Sequence, residues 1–558
     1  MKKGGSHMKK FLVLLLALMM MASSAFALEI SEPGVLPLVN EPAQLTLMIQ
    51  KHALVTDYTD NYLTKLIKEV TGVELLIETL PADGAEAKQK ISLMIAGGQK
   101  LPDILVLGLN DAEKLDYGSS GYFLPMNDWL ENDAYYWNLS MDTYAADEKE
   151  LVLKYATSAD GNIYGYPSYY SDPGDNSALG MWINKAWCDK LGLAIPTTTD
   201  ELYNVLKAFK DNDPNGNGIA DEIPLIGHNG WMGDVCTQLT NAFIYDAWDP
   251  DFSYQLNVVD GNLVAPFVTE EWHNALRYLN KLSAEGLLSP LSFSQTQNEL
   301  KAILSAPNDQ PTLVGAFVGH PSPLFGSDGA VDRVQEYVAV PAMIGPEGVQ
   351  WSPYKMAKPA CKAFVTVDCE NPDLAFRVMD ALAREDMSLS MRYGEQNIDW
   401  EYTTEGEIRH KYLEGFVPIY GQLATSRTPW TTENNIIWNV NDINMLPPKL
   451  FAGLAGDPYP EGNRRYQMDT LWYSSVPLRH SKHPENLAFG LIKTQDEIDM
   501  VADIEATLQS YVLEAQANFV LGNKDVEADW DAYLAELEAI GLSVYVETMQ
   551  GAYDRMFK

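Results

Sequence analysis

The chain has 558 residues, 46% of them hydrophobic, 21% charged and 11% aromatic, with a net charge of −38. That is apolar material for a large core and more chain than one core organises, so two or more lobes are expected. The acidity excludes nucleic acid and anionic membrane as partners, disfavours polyanionic ligands unless a local basic pocket overrides it, and favours neutral ones.

Lys2, Lys3, Lys9 and Lys10 precede an apolar run from Phe11 to Met21 and small residues ending at Ala25-Phe26-Ala27. This reads as a secretory signal, residues 1–27, cleaved near Ala27, which takes the charge to −42 once its four lysines are gone. The expected product is exported, and no later apolar stretch approaches the roughly 20 residues needed to span a bilayer. The four cysteines, Cys188, Cys236, Cys361 and Cys369, lie far downstream of the cleavage point, so no lipid-attachment cysteine is expected. Cys361 and Cys369 flank an extended segment that holds them too far apart to bond, which leaves buried thiols or a Cys188–Cys236 bridge.

From residue 45 the pattern predicts strand 45–50, helix 58–71, strand 73–80, helix 84–97 and strand 103–109. Apolar runs alternating with amphipathic ones mean βαβ units around a mainly parallel sheet. A turn-rich crossover, Gly161-Asn162-Ile163-Tyr164-Gly165-Tyr166-Pro167, leads to strand 179–184 and a second region. There Thr198 and Glu201 make a capping box for a helix carrying Leu202, Val205, Leu206 and Phe209 at helical spacing.

That helix runs into Asp211-Asn212-Asp213-Pro214-Asn215-Gly216-Asn217-Gly218-Ile219-Ala220-Asp221-Glu222. Alternating side-chain oxygens on a glycine-bent loop are what Ca²⁺ requires. One register takes Asp211, Asp213, Asn215 and Glu222 as ligands. A second takes Asp213, Asn215, Asn217, the Ile219 carbonyl, Asp221 and Glu222. The alternative is a turn without metal. A short strand, 223–227, follows instead of a second helix, so a paired calcium sensor is not expected and a bound ion would be structural.

Beyond the loop come helix 269–286, with Trp272, Leu276, Leu279 and Leu282 on one face, strands 313–318 and 337–342, and strand 363–367 leading to a helix with Asn371 and Pro372 at its start. Two long helices close the chain, one capped by Thr494 and Glu497, the other centred on Trp530. Trp272 and Trp530 sit on helical stripes and are assigned to core. Such interleaving is natural if the chain passes between two α/β lobes several times.

Three segments resemble the family 1 extracellular solute-binding proteins of ABC transporters, in the large branch with LipO-like lipoproteins and alginate-oligosaccharide-binding proteins. They are Ile195-Pro196-Thr197-Thr198-Thr199-Asp200-Glu201-Leu202 with the loop to Pro224, Arg392-Tyr393-Gly394-Glu395-Gln396-Asn397-Ile398-Asp399-Trp400, and Asp525-Val526-Glu527-Ala528-Asp529-Trp530-Asp531-Ala532-Tyr533-Leu534. The resemblance implies an α/β fold of the type II periplasmic-binding-protein class: two lobes with mainly parallel sheets, a hinge, and a helical C-terminal extension. By that analogy one lobe is residues 28–166 plus 362–400 and the other 167–361 plus 401–558. It also implies the second calcium register, ABC permease partners and a monomer that captures an oligosaccharide outside the cell.

A sugar offers apolar C–H faces and a rim of hydroxyls, so its binder needs flat rings beside directional polar groups. Of 13 Trp and 29 Tyr, several fall in turn-rich segments. Tyr170, Trp231, Trp351 and Trp430 are the expected stacking platforms. His52 and Asn110, just beyond the first and third strands, are expected hydrogen-bond partners because ligands of open α/β sheets collect at carboxyl strand ends. Arg427 is expected to clasp a carboxylate or a hydroxyl pair. No catalytic motif appears, which sets a secreted glycoside hydrolase behind a binding protein; a peptide or amino-acid-derivative binder and a secreted surface protein without transport are the other rivals.

Overall fold

The computed structural model describes residues 28–558 except 172–175, 177–178, 231, 248–255, 306, 308, 326–330, 403–419, 423–426, 428, 431, 441–442, 447–463 and 480–481. The expected leader and Trp231 therefore lie outside the described residues. Two four-stranded sheets organise the chain. Their strands are β1 (Ala43–Gln50), β2 (Val73–Leu80), β3 (Ile104–Val106), β4 (Met181–Asn184), β5 (Ile223–Ile226), β6 (Val314–Val318), β7 (Tyr337–Ala339) and β8 (Ala363–Val365). The helices that matter below are α1 (Tyr62–Thr71), α2 (Gly84–Ala96), α3 (Asp111–Ser119), α4 (Tyr135–Met141), α5 (Ala146–Ala156), α6 (Thr199–Asp211), α7 (Glu270–Ala284), α8 (Pro372–Leu382), α9 (Glu385–Tyr393), α10 (Gln495–Val520), α11 (Trp530–Ile540) and α12 (Leu542–Phe557).

The first sheet has the order β8-β3-β1-β2. β1 runs parallel to β2 from Ala43↔Val73 to Gln50↔Leu80 and parallel to β3, while β8 closes the other edge antiparallel. Period-two alternation decides which side chain meets which helix. Leu45, Leu47, Ile49, Ile104, Val106, Ala363 and Val365 enter the core shared with Leu63, Ile67 and Phe376. Met48, Leu105 and Phe364 point the other way, against Ala87 and Ile91 of α2 and the rings of Phe123 and Tyr164.

The second sheet has the order β5-β6-β4-β7. β5 and β6 are parallel, whereas β4 is antiparallel to both its neighbours. Its core takes the apolar faces of α6, α7 and α10. Trp272 of α7 and Trp530 of α11 are packed there as their spacing indicates, with Trp272 stacked 5.9 Å from Tyr533 and Trp530 4.0 Å from His273. The capping boxes at Thr198/Glu201 and Thr494/Glu497 both form. The final helical stretch is two helices, because Gly541 takes a left-handed conformation, φ +119, between α11 and α12. All four cysteines are free.

The helix expected from residue 58 starts at Tyr62, since Asn61 caps it and Asp57 holds Thr59 and Asp60 in a preceding turn. Strand 103–109 is shorter than expected because Leu107 N–H donates to Lys362 outside the ladder. Residues 434–440 and 443–446 return to the first core, a packing no local pattern announces. The carbonyls of Asn435 and Ile436 accept from Tyr62 and Leu63 N–H at 2.9 and 3.1 Å, covering donors that a helix start leaves bare. Trp438, Ile443 and Met445 pack there, and Trp438 Nε1 donates to Thr64 at 2.8 Å.

Asp380 of α8 ties two of these helices together, accepting from Trp137 and Tyr136 N–H at 2.9 and 3.0 Å at the start of α4, and from Tyr166 Oη at 3.3 Å. Burial outweighs those donors and pushes its pKa up to about 6 from 3.8. As pH rises through that window the unfolded chain gives up this proton while the folded protein keeps it, so the group turns against folding. Asp380→Asn is therefore expected to gain on wild type by up to ~3 kcal/mol between about pH 4 and pH 7. Calorimetric melting of both proteins across that range checks the sign.

Candidate functional site

The connection from β1 to β2 stays on one side of β1, and the next, from β2 to β3, crosses to the other. The crevice of such a sheet opens at that reversal, outside the carboxyl ends of β1 and β3. His52 follows β1, and Asn110 follows β3.

His52 Nδ1 accepts from Leu54 N–H at 3.2 Å and lies 3.4 Å from Asn439 Nδ2, while its N–H donates to Tyr58 Oη at 2.9 Å. Asn439 Nδ2 also donates to Pro429 O at 3.1 Å, and Asn434 donates to the same carbonyl at 2.8 Å. These bonds place the Pro429-Trp430 turn beside the end of β1. Asn110 has a different occupation. Its Oδ1 accepts from Glu113 N–H at 2.8 Å and Glu113 reaches back to its own N–H, a capping box for α3. The Asn-x-x-Glu spacing that signals it was present in the sequence.

The half-buried Trp430 ring donates from Nε1 to Arg392 O at 2.6 Å, with the Arg392 guanidinium 5.2 Å from its centre. Arg427 is engaged by acids of its own chain. Its Nε and one terminal nitrogen donate to Asp399 Oδ1 and Oδ2 at 3.0 and 2.5 Å, and that nitrogen also meets Glu395 at 3.1 Å. The Asp399 side chain is fully buried, and Glu395 N–H adds a donor at 2.7 Å. Burial alone would raise its pKa, but the Arg427 hydrogen bonds and charge hold it below the usual carboxylate range. Gly394 makes the close approach possible, since at φ +106 a Cβ there would collide with the Asp399 carboxylate.

Tyr170 packs against Leu389, Trp400 and Leu446, and its backbone bridges to Leu446. Trp351 stands apart from these residues, edge-on to Tyr245 at 6.3 Å, with its N–H on Asn241 O at 3.0 Å. The structure thus brings together His52, Tyr170, Arg427 and Trp430 around segments 392–402 and 427–446, with Asn110 at the neighbouring strand end and Trp351 beside the second core. Sequence reasoning missed Asn434 and Asn439, and two stacked pairs, Tyr354 on His483 and His320 on Trp472, each with centroids 3.9 Å apart. His320 and His228 follow the carboxyl ends of β6 and β5, a positional signal available only once the strands are placed.

In the oxygen-rich loop, Asp213 has φ +41 and accepts from Gly216, Asn217 and Gly218 N–H at 2.8, 3.1 and 3.0 Å. The amides of Asn215 and Asn217 both meet Asp221. Asp211 instead ends α6 and pairs with Lys207 at 3.4 Å. Among the described residues no three His, Cys, Asp or Glu side chains form a group that could hold a metal. The remaining donors are amide and carbonyl oxygens, which suit a hard cation. Glu222 Oε1 is buried without a partner, and burial followed by the charges of Asp213 and Asp221 pushes its carboxyl up, so the loop carries an orphaned oxygen among like charges.

Residues 53–386 match the family described as bacterial extracellular solute-binding protein. The chain is 26% identical over 514 residues to the fructooligosaccharide ABC transporter substrate-binding protein FusA of Streptococcus pneumoniae serotype 4, covering 89% of this chain and 88% of that protein. It is 31% identical over 227 residues to the lipoprotein LipO of Bacillus subtilis, covering 40% and 41% of the two. The solved structure of S. pneumoniae FusA with kestose shares the fold at a TM-score of 0.69 and 24% identity, over 92% of this chain and 99% of that one.

The geometry makes Arg427 a staple for a buried carboxylate. Arg427→Ala is expected to destabilise the protein by on the order of 3 kcal/mol, because it strands the Asp399 charge, and Asp399→Asn in the same chain should recover part of the loss. Melting temperatures of the single and double variants decide; a ligand clasp would instead lose affinity at unchanged stability.

Proposed function

The chain belongs to the bacterial extracellular solute-binding protein family, and on that premise we propose that it is the solute-capturing component of an ABC importer, binding a neutral oligosaccharide and handing it to a permease. The observation that carries this reading is the likeness along nearly the whole chain to a fructooligosaccharide-binding relative. The site's chemistry supports it: Trp430, Trp351 and Tyr170 offer rings, and His52 and Asn439 offer directional polar atoms. Arg427, a cation that would suit a uronate, is already paired with acids, and the chain carries −38. Among the described residues no helix is long and apolar enough to cross a membrane.

The ligand lies between two lobes that close on it, contacts to both being made only in the shut state. The lobes are residues 28–166 plus 362–400 and 167–361 plus 401–558, with segments 434–440 and 443–446 packed on the first core as a further crossing. Asp213, Asn215, Asn217, the Ile219 carbonyl, Asp221 and Glu222 would hold Ca²⁺. The ion would supply positive charge to crowded carboxylates and fix the loop between α6 and β5; it takes no part in ligand chemistry. The protein performs no reaction on its ligand.

Titration calorimetry against kestose, nystose, maltotriose, oligogalacturonate and short peptides tests the ligand class. Micromolar or tighter binding of a neutral sugar is expected. Tight binding of peptides alone, or release of shorter sugars on incubation, would overturn the reading. Chelation by EDTA is expected to lower the melting temperature and Ca²⁺ to restore it, the ion adding about 2.7 kcal/mol of stability at a hundredfold excess over Kd. Asp213→Ala should abolish that difference; a melting temperature indifferent to EDTA in the wild type would remove the calcium assignment.

A further inference from the structure

Glu148 lies on α5, and nothing in its sequence neighbourhood marks it. Tyr169 Oη donates to its Oε1 at 2.8 Å. The rings of Tyr144 and Tyr169 are tilted against each other at 5.1 Å, and the Glu148 charge reaches far enough to help raise the pKa of Tyr354, after burial. One phenol therefore bonds a half-buried acid, with a second ring packed on the first. Among the described residues no lysine or arginine pairs with it, because the adjacent Lys149 bonds Asp142 at 2.7 Å. Burial raises its pKa, and Asp147 adds like charge against the Tyr169 donor.

The position matters as much as the charge. Tyr169 belongs to the segment leaving the first sheet and Tyr354 to the one returning to it. These two run side by side, Ala360 N–H on Ser168 O at 2.8 Å and Lys355 N–H on Asn176 O at 2.7 Å. Tyr144 Oη donates to Leu446 O at 3.0 Å, on the third crossing, and Leu446 N–H returns to Tyr169 O at 3.2 Å. Glu148 sits where three crossings meet, bonded to Tyr169, whose neighbour Tyr170 packs on Leu446, while Tyr354 of the returning segment stacks on His483. A partly dehydrated carboxylate without a cation is costly unless something donates to it. Groups perturbed in this way gather at functional sites.

We infer that Glu148 is a ligand-binding residue, its carboxylate accepting hydrogen bonds from hydroxyls of a neutral sugar seated against the crossing tyrosines. The inference rests on the oligosaccharide reading above and names a polar group for it. A carboxylate with an oxygen to spare takes two adjacent hydroxyls well and repels a uronate, so it also sets ligand charge.

Glu148→Gln keeps the shape and removes the charge. Calorimetry with kestose, nystose, maltotriose and cellotriose first identifies the sugar that the wild type binds most tightly. For that sugar Glu148→Gln is expected to weaken binding about 10- to 100-fold, with the melting temperature of the ligand-free protein unchanged or raised. Tyr169→Phe, which removes the donor and leaves the acid, should weaken it about 3- to 10-fold. Glu150→Gln, an exposed neighbour on α5, should bind as wild type. Wild-type affinity in Glu148→Gln, or a lower melting temperature with affinity intact, overturns this inference alone. A wild type that binds none of the four sugars overturns it together with the oligosaccharide reading.

Discussion

A carboxylate with no exposed surface must be supplied with donors and positive charge, and Asp399 draws them from Arg427 and Glu395. That demand fixes residue 427 against α9, and from there the chain is committed. Trp430 reaches the Arg392 carbonyl, Asn434 and Asn439 take the Pro429 carbonyl, and the backbone at 435 and 436 covers the start of α1. His52 gains its amide neighbour through the same path. One ion pair between residues 28 positions apart thus sets the floor beside β1, and the glycine at 394 is the concession that lets the acid approach.

Local chemistry was readable wherever a segment answers only to its own period or its own cap. The alternation of Leu45, Leu47 and Ile49, the stripes of α6 and α7, and the two boxes at Thr198 and Thr494 depend on residues a few positions apart. The crossing at 434–440 and 443–446 answers to partners up to 387 residues away, and no window of sequence contains both ends. Arg427 illustrates the same limit at the site. An arginine in a turn beside a tryptophan fits a ligand clasp, but which carboxylate it meets is decided by the third dimension. Asn110 is the exception among local signals: its place just beyond β3 fits a ligand contact, while its Asn-x-x-Glu spacing to Glu113 is what the structure uses.

In the oxygen-rich loop the two registers that the sequence left open differ first at Asp211. Asp211 closes α6 and faces solvent with Lys207, so its carboxylate belongs to the helix. Asp213, in a left-handed conformation, is bent over the amides of Gly216 and Gly218. Helical geometry ends at residue 211, so the irregular backbone of the loop begins after it. Glu222 Oε1 is then left buried and without a partner beside the charges of Asp213 and Asp221.

A closing binder gains nothing from contacts confined to one side, because they stabilise open and shut states alike and leave the ratio between them unchanged. His52, Trp430 and Asn439 stand with the first sheet, Trp351 and Tyr245 with the second, and the crossings carry Tyr170, Tyr354 and Glu148. In the proposed capture, a solute resting on the crossings touches segments common to both sides. It supplies affinity there, and its contacts to the outer walls supply the shift. On the proposed reading, polar groups on the crossings would select what enters and rings on the walls would reward closing, two demands that a sugar with hydroxyls at its edge and C–H on its faces meets at once.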